Sequence, residues 1–257
     1  MSGSPPQRTL PTETWKAMRV AIVSDIHGNL TAFEAVLEDL RQTSPDLILH
    51  GGDLADGGAR PAEIVDRVRD LGWKGVVGNT DELLFSPESL TEFARQSAAS
   101  LKPVFDAVEE MAAATREKLG AGRLGWLGEL PRGQNCGSTA LIHATPESLW
   151  RAPAGDALDA ELESAFALLR QRVVVYAHVH CPYVRSVAGM TIANSGSVGL
   201  PYDGDRRASY LLIDGTDALI RRVEYDLDRE LKELSVSGLP HAGWIARMLE
   251  AGRPQMP

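Results

Sequence analysis

Cysteine is scarce: Cys136 and Cys181 are the only two in 257 residues. Two isolated thiols build no disulfide framework and lack the paired spacing of a thiolate zinc site, so both are expected reduced and partly buried. Long apolar runs are missing too. None approaches the ~18 residues of a membrane-spanning helix, and Met1 to Lys16 is polar and proline-bearing, without the apolar stretch of a secretory signal. A cytoplasmic protein with no membrane partner is the expectation. Surplus positive charge is also absent: 26 Lys+Arg against 35 Asp+Glu leave a net charge of −9, which disfavours a long nucleic-acid partner because nothing is left over to neutralise its phosphates. What is present, 44% hydrophobic and 24% charged residues, is ordinary for a folded soluble protein, and the length suits one sizeable α/β domain or two small ones.

Residues 1–16 are rich in Ser, Pro, Gln and Thr and carry too little apolar surface to offset the entropy of ordering, so they read as a flexible tail ahead of one domain over 17–257. From Arg19 short apolar runs alternate with segments of helical period, the signature of an α/β fold. Arg19 to Ser24 predicts a strand. Leu30, Phe33, Val36, Leu37 and Leu40 then share one helical face. Asp46 to His50 is a second strand, Pro61 to Leu71 a helix, and Gly75 to Val77 a third strand. After Asp81 the pattern breaks, and about 88–127 predicts a helical insertion with no strand. Strand-like runs resume at Thr139 to Ile142, Val173 to Tyr176, Tyr183 to Val187, Met190 to Ala193, Tyr210 to Ile213 and Leu219 to Tyr225, with one helix at Asp156 to Leu169. Their close succession predicts a second sheet with antiparallel pairs. Two closing helices over about 226–250 finish the chain.

Five polar clusters sit just after predicted strands, where α/β folds gather their ligands: Asp25-Ile26-His27, Gly52-Asp53, Gly78-Asn79-Thr80-Asp81, His143, and His178-Val179-His180. In an extended segment residues i and i+2 face one way, so Asp25 and His27, like His178 and His180, are expected to point together. Two carboxylates, an Asn carbonyl and four imidazoles suit Mn²⁺, Fe or Zn²⁺, whereas Ca²⁺ would want more oxygens. Seven ligands are too many for one tetrahedral site and suit two divalent ions sharing a carboxylate, a pair able to clamp a phosphoryl group. Taken singly each residue has an ordinary explanation, Asp25 as a helix cap, Asp53 and Asn79 as turn residues, His143 as a core histidine. Four of the six histidines fall in the ligand positions, which favours the metal reading.

At these residues the chain resembles the calcineurin-like metallophosphoesterase superfamily, in its compact bacterial and archaeal phosphodiesterase-like subgroup. The resemblance spans roughly Arg19 to Tyr225 and rests on five motifs in order: D-x-H, G-D, G-N, H, and G-H-x-H, the last reading Ala177-His178-Val179-His180 here. It implies a four-layer α/β/β/α sandwich of two mixed sheets. It also implies two metals, the first held by Asp25, His27, Asp53 and His180, the second by Asp53, Asn79, His143 and His178. The implied activity is phosphodiester hydrolysis by a metal-bridging hydroxide on a small phosphate-ester substrate, with Asp53 and Asn79 as catalytic residues. Thr80 stands where phosphatase members carry a histidine, and a hydroxyl is a poor acid, which favours phosphodiesters or good leaving groups. The alternatives are a phosphomonoesterase, a protein phosphatase or a dinucleoside-polyphosphate hydrolase, and, in another class, a non-catalytic interaction scaffold on the same fold.

Other residues keep two readings. Asn79, Thr80 and Arg206 are candidate substrate contacts, while Arg206 and Arg207 also fit a solvated hairpin. Asn194 to Gly199 would cradle phosphate or simply turn the chain. His50 is expected to pack or to support a ligand rather than to be one, His241 to lie at the surface, and Cys181 to face away from His180. The insertion is either a lid over the metals or a packed appendage. Oligomeric state is left open.

Overall fold

The computed structural model describes residues 18–257, so the predicted tail falls outside the described residues. β1 (Arg19–Val23) lies between β2 (Leu47–His50), parallel to it, and β9 (Ala208–Asp214), antiparallel to it. With β3 (Lys74–Gly75) and β10 (Asp217–Val223) they form a five-stranded sheet in the order β10-β9-β1-β2-β3. The second sheet runs β4-β5-β6-β8-β7, from β4 (Gly133–Cys136), β5 (Thr139–Ile142), β6 (Val173–Tyr176), β7 (Tyr183–Val187) and β8 (Met190–Asn194). Both sheets are mixed. The pairs β5/β6 and β6/β8 are parallel, while β4/β5 and β7/β8 are antiparallel.

Strand alternation explains the layers. Val20 and Ile22 point between the sheets, where they meet Leu49, Val76, Leu141, Val173, Val175 and Leu211 in one dry core. Ala21 and Val23, on the other face, meet Phe33, Val36 and Leu40 of α1 (Leu30–Thr43) and Ile64, Val65 and Val68 of α2 (Pro61–Asp70). Asn29 caps α1 by accepting the Ala32 amide at 2.9 Å, and Pro61 opens α2, where its missing N–H goes unused. Across the second sheet, Leu162 and Phe166 of α6 (Asp159–Phe166) cover Val174, Tyr176 and Ile192. The order of layers is therefore α/β/β/α, as expected.

Between β3 and β4 the chain is helical: α3 (Asn79–Phe85), α4 (Glu88–Arg95) and α5 (Lys102–Gly128). α5 breaks at Gly120, whose φ of 67° no helix accommodates. Helical structure thus begins at the Asn79 motif itself rather than some residues beyond it. After β10, α7 (Leu227–Val236) and α8 (Ala242–Ala251) pack Leu234, Trp244, Ile245 and Met248 against Met111 of α5.

Two expectations need correction. β9 and β10 return to the first sheet rather than joining the second, because pairing with β1 gives that strand a neighbour on both edges. β4 lies outside the predicted strands: Gly-Gln-Asn-Cys has no apolar alternation, yet as an edge strand it needs only the ladder it makes with β5.

Candidate metal centre

Each of the five clusters follows a strand, and the structure brings all seven candidate ligands together at one rim of the two sheets. Asp25, His27, Asp53, Asn79, His143 and His180 are buried, and His178 is partly exposed. They do not converge by the alternation of extended chain. Asp25, His27, Asp53, His178 and His180 have φ of 52°, 48°, 52°, 65° and 54°, five of the nine non-glycine residues with positive φ among the described residues. Each left-handed residue costs roughly 1–3 kcal/mol, and such strain persists only where the surroundings over-determine it.

Glycine makes the approach possible. A Cβ on Gly52, whose φ is 90°, would lie 2.5 Å from the Gly78 nitrogen, and one on Gly78 would overlap the Asp53 carboxylate. The G-D and G-N loops therefore meet backbone to backbone, and Thr80 donates its amide to Asp53 Oδ1 at 2.9 Å.

Around Asp53 the donor atoms fall into two groups. In the first, His27 Nε2 lies 3.2 Å from His180 Nε2, which is 3.2 Å from Asp25 Oδ1. The ligand atoms of Asp25, His27, Asp53 and His180 all lie within 4.8 Å of one another. In the second, Asn79 Oδ1 lies 2.9 Å from His143 Nε2 and 2.8 Å from His178 Nδ1. Asp53 Oδ2 stands between them, 3.7 Å from His27 Nε2 and 3.5 Å from His143 Nε2.

The chemistry of this donor set fits cations. His27, His143 and His180 direct Nδ1 at the backbone carbonyls of Asp56, Gly51 and Leu200, at 2.7, 2.8 and 2.6 Å. A carbonyl only accepts, so each Nδ1 carries a proton, and Nε2 is the atom that each ring turns to the centre. Burial, reinforced by repulsion from His180, holds His27 below the usual histidine range and so neutral. With Nε2 unprotonated, lone pairs face lone pairs and carboxylate oxygens. Burial would raise Asp25, but the charge and hydrogen bond of His180, with His143 and His27 behind it, hold its carboxyl at about 2. Burial and then the Asp53 charge push Asp81 up to about 7. Burial likewise raises Asp56 to about 7, against the hydrogen bond from Thr115 and with a further push from Asp53. The pocket gathers more negative charge than it holds comfortably by itself, and divalent cations are the natural complement.

Around the seven candidate ligands, other residues brace the centre or stand apart from it. Asp81 is a brace rather than a free acid: it accepts the amides of Asp53 at 2.8 Å, Leu54 at 3.0 Å and Gly78 at 3.1 Å. Tyr202 stacks on His180, ring centroids 4.4 Å apart and planes at 22°, in a Pro-Tyr-Asp-Gly stretch that reads only as a turn. The Asn194 to Gly199 loop is buried, and the amides of 195–199 bond to Tyr176, Asn194, Ser209, Ser24 and Asp25. None is left for a phosphate, so the loop shapes the Asp25 turn instead of cradling substrate. Thr80 lies beside Asp53 with its Oγ1 buried and unpartnered. Arg206 lines a surface groove with Arg207 and Glu224 to Asp228, a set that includes none of the seven candidate ligands. His50 is fully buried with both ring nitrogens unpartnered, and His241 bonds Glu110 at 2.9 Å.

Residues 18–218 match the model of the calcineurin-like phosphoesterase superfamily domain. An uncharacterized protein of Methanocaldococcus jannaschii is 30% identical, the match covering 91% of this chain and 98% of that one. A metallophosphoesterase from Sphaerobacter thermophilus, whose crystal structure is known, is 29% identical with a TM-score of 0.74, covering 92% of this chain and 99% of that one. A hypothetical protein from Pyrococcus horikoshii shares the fold at 19% identity, with a TM-score of 0.78 and coverage of 92% and 99%.

Proposed function

The chain belongs to the calcineurin-like phosphoesterase superfamily, and from that premise we propose that it is a dinuclear metal-dependent phosphodiester hydrolase. The observation that carries the proposal is the pair of lone-pair clusters flanking Asp53 Oδ2. Asp25, His27, His180 and Asp53 would hold one ion, and Asp53, Asn79, His143 and His178 the other. Mn²⁺, Fe or Zn²⁺ in these positions would supply Lewis-acid stabilisation of phosphoryl charge and a lowered pKa for water. The protein's part is to orient. Backbone carbonyls fix the three imidazole tautomers, and the Thr80 amide turns Asp53 so that Oδ2 faces both clusters.

The preference for diesters over unactivated monoesters rests on Thr80. Its hydroxyl, beside the Asp53 carboxylate, is too weak an acid to protonate an alkoxide near neutral pH. Asp81, three amides deep in the Asp53 loop, is not placed to help. The test is a panel of mono- and diesters assayed with each metal added back to apo protein. Turnover of diesters with two ions bound supports the reading; two ions bound without turnover of any ester would favour the scaffold alternative.

A further inference from the structure

A buried hydrogen bond ties the loop that orients His27 to α5. Asp56 supplies the carbonyl that receives the His27 Nδ1 proton at 2.7 Å, and its own carboxylate accepts Thr115 Oγ1 at 2.8 Å. Asp56 is 2% exposed and Thr115 0%. Thr115 sits on α5, ahead of the Gly120 break, in the segment that the sequence suggests is a lid or an appendage. At the start of the loop between Asp53 and α2, Asp81 and the His27 and Gly28 amides hold Asp53 and Leu54; Gly57 and Gly58 then follow Asp56 directly, and a Cβ at Gly57 would lie 3.6 Å from His27 Nδ1. Glycines lower the stiffness of such a loop. A side-chain bond from a packed helix is therefore a means of fixing where the Asp56 carbonyl points.

We propose that Thr115 is a positioning residue for the metal centre: through Asp56 it sets the orientation of the His27 ring and hence the affinity of the Asp25–His27–His180 side for its ion. This rests on the metal reading above. It gives the helical segment a role within that centre, beyond any selection of substrate. Partners that orient a ligating histidine typically change metal affinity by 10–100-fold when removed, and Thr115 acts one bond further out, so about tenfold is the expected effect.

The experiment titrates the full-length apo chain with Mn²⁺ by calorimetry, for wild type, Thr115→Val and Thr115→Ser. Valine keeps the shape of threonine and loses the hydroxyl; serine keeps the hydroxyl. The expected result is two binding steps in the wild type, one of them weakened about tenfold in Thr115→Val with the other within twofold, and both near wild type in Thr115→Ser. If Thr115→Val fails to fold, Thr115→Ala, which adds no bulk, must show the same selective loss. Two unchanged steps in the valine or alanine variant overturn the inference and leave the metal reading standing. Equal weakening of both steps, in serine as in valine, also overturns it, since that is general loosening. A wild type that binds no Mn²⁺, Fe or Zn²⁺ overturns the metal reading and this inference with it.

Discussion

The Thr80 amide holds Asp53 Oδ1 at 2.9 Å, so the two oxygens of one carboxylate have different duties. Oδ1 is anchored to protein, and Oδ2 is left facing His27 on one side and His143 on the other. Asp53→Asn would remove the shared negative charge while keeping the volume. The expected outcome is a loss of at least one ion per chain and of metal affinity by more than about 100-fold, with turnover abolished. Metal content measured after dialysis, together with anomalous scattering, checks it; two ions retained at full affinity would show that Asp53 is not shared.

Gly78 packs directly on Asp53: any Cβ there would enter the Asp53 carboxylate and crowd its amide. Gly78→Ala should destabilise the chain by about 1–3 kcal/mol, the range of overpacking in a well-packed site, and should weaken metal binding with it. Urea unfolding compared with wild type reads the first effect. A midpoint unchanged by the substitution would contradict the backbone-to-backbone approach of the two loops.

On the proposed reading, Thr80 leaves the departing oxygen without a strong acid from the protein. Rates should fall steeply as the leaving group's pKa rises, nitrophenyl esters far outrunning alkyl esters of the same phosphate. Thr80→His, carrying an imidazole of pKa ~6.5, should flatten that dependence. Single-turnover rates across a leaving-group series are the measurement, and a flat wild-type series would remove Thr80 from the argument.

His50 should make stability depend on pH. It is fully buried with both nitrogens unpartnered, and burial lowers its pKa from 6.5 to about 4. Above 6.5 the ring is neutral folded or unfolded and contributes no slope. As pH falls from 6.5 toward about 4 the unfolded chain takes up a proton that the folded chain refuses, so stability declines by about 1.4 kcal/mol per pH unit, roughly 3 kcal/mol in all. His50→Leu should remove this component. The difference in unfolding free energy between variant and wild type should therefore shift in the variant's favour between pH 7.5 and pH 5; a constant difference would mean that His50 does not carry the effect.

Much of this was legible in the sequence, for identifiable reasons. The core strands announce themselves because Val, Ile and Leu cluster in runs such as Val173 to Tyr176, buried on both faces. The five polar clusters are readable because each interrupts such a pattern at a strand end. What escaped depends on pairing across long stretches of chain. β4 is a strand only because β5 lies beside it, and β9 and β10 belong to the first sheet only because β1 has a free edge. The left-handed turns at Asp25, His27, His178 and His180 leave no mark that distinguishes them from extended chain in a sequence lacking glycine at those positions. Tyr202, Asp56 and Thr115 act through contacts with residues far away in the chain, and no local pattern predicts those.

An apolar cluster that includes Val20, Ile22, Leu49, Leu141, Val173 and Val175 packs between the two sheets, and each proposed ligand set takes residues from both. Asp25, His27 and Asp53 leave the first sheet and His180 the second; Asn79 leaves the first, His143 and His178 the second. An ion in either position would thus be a rivet through the sandwich at one rim, adding to the apolar packing between its halves. Binding confined to the native arrangement stabilises it by mass action. Metal occupancy should therefore show in amide hydrogen exchange as a gradient, with the strand ends bearing the ligands protected most and the opposite rim least, so that the centre doubles as the clasp of the fold.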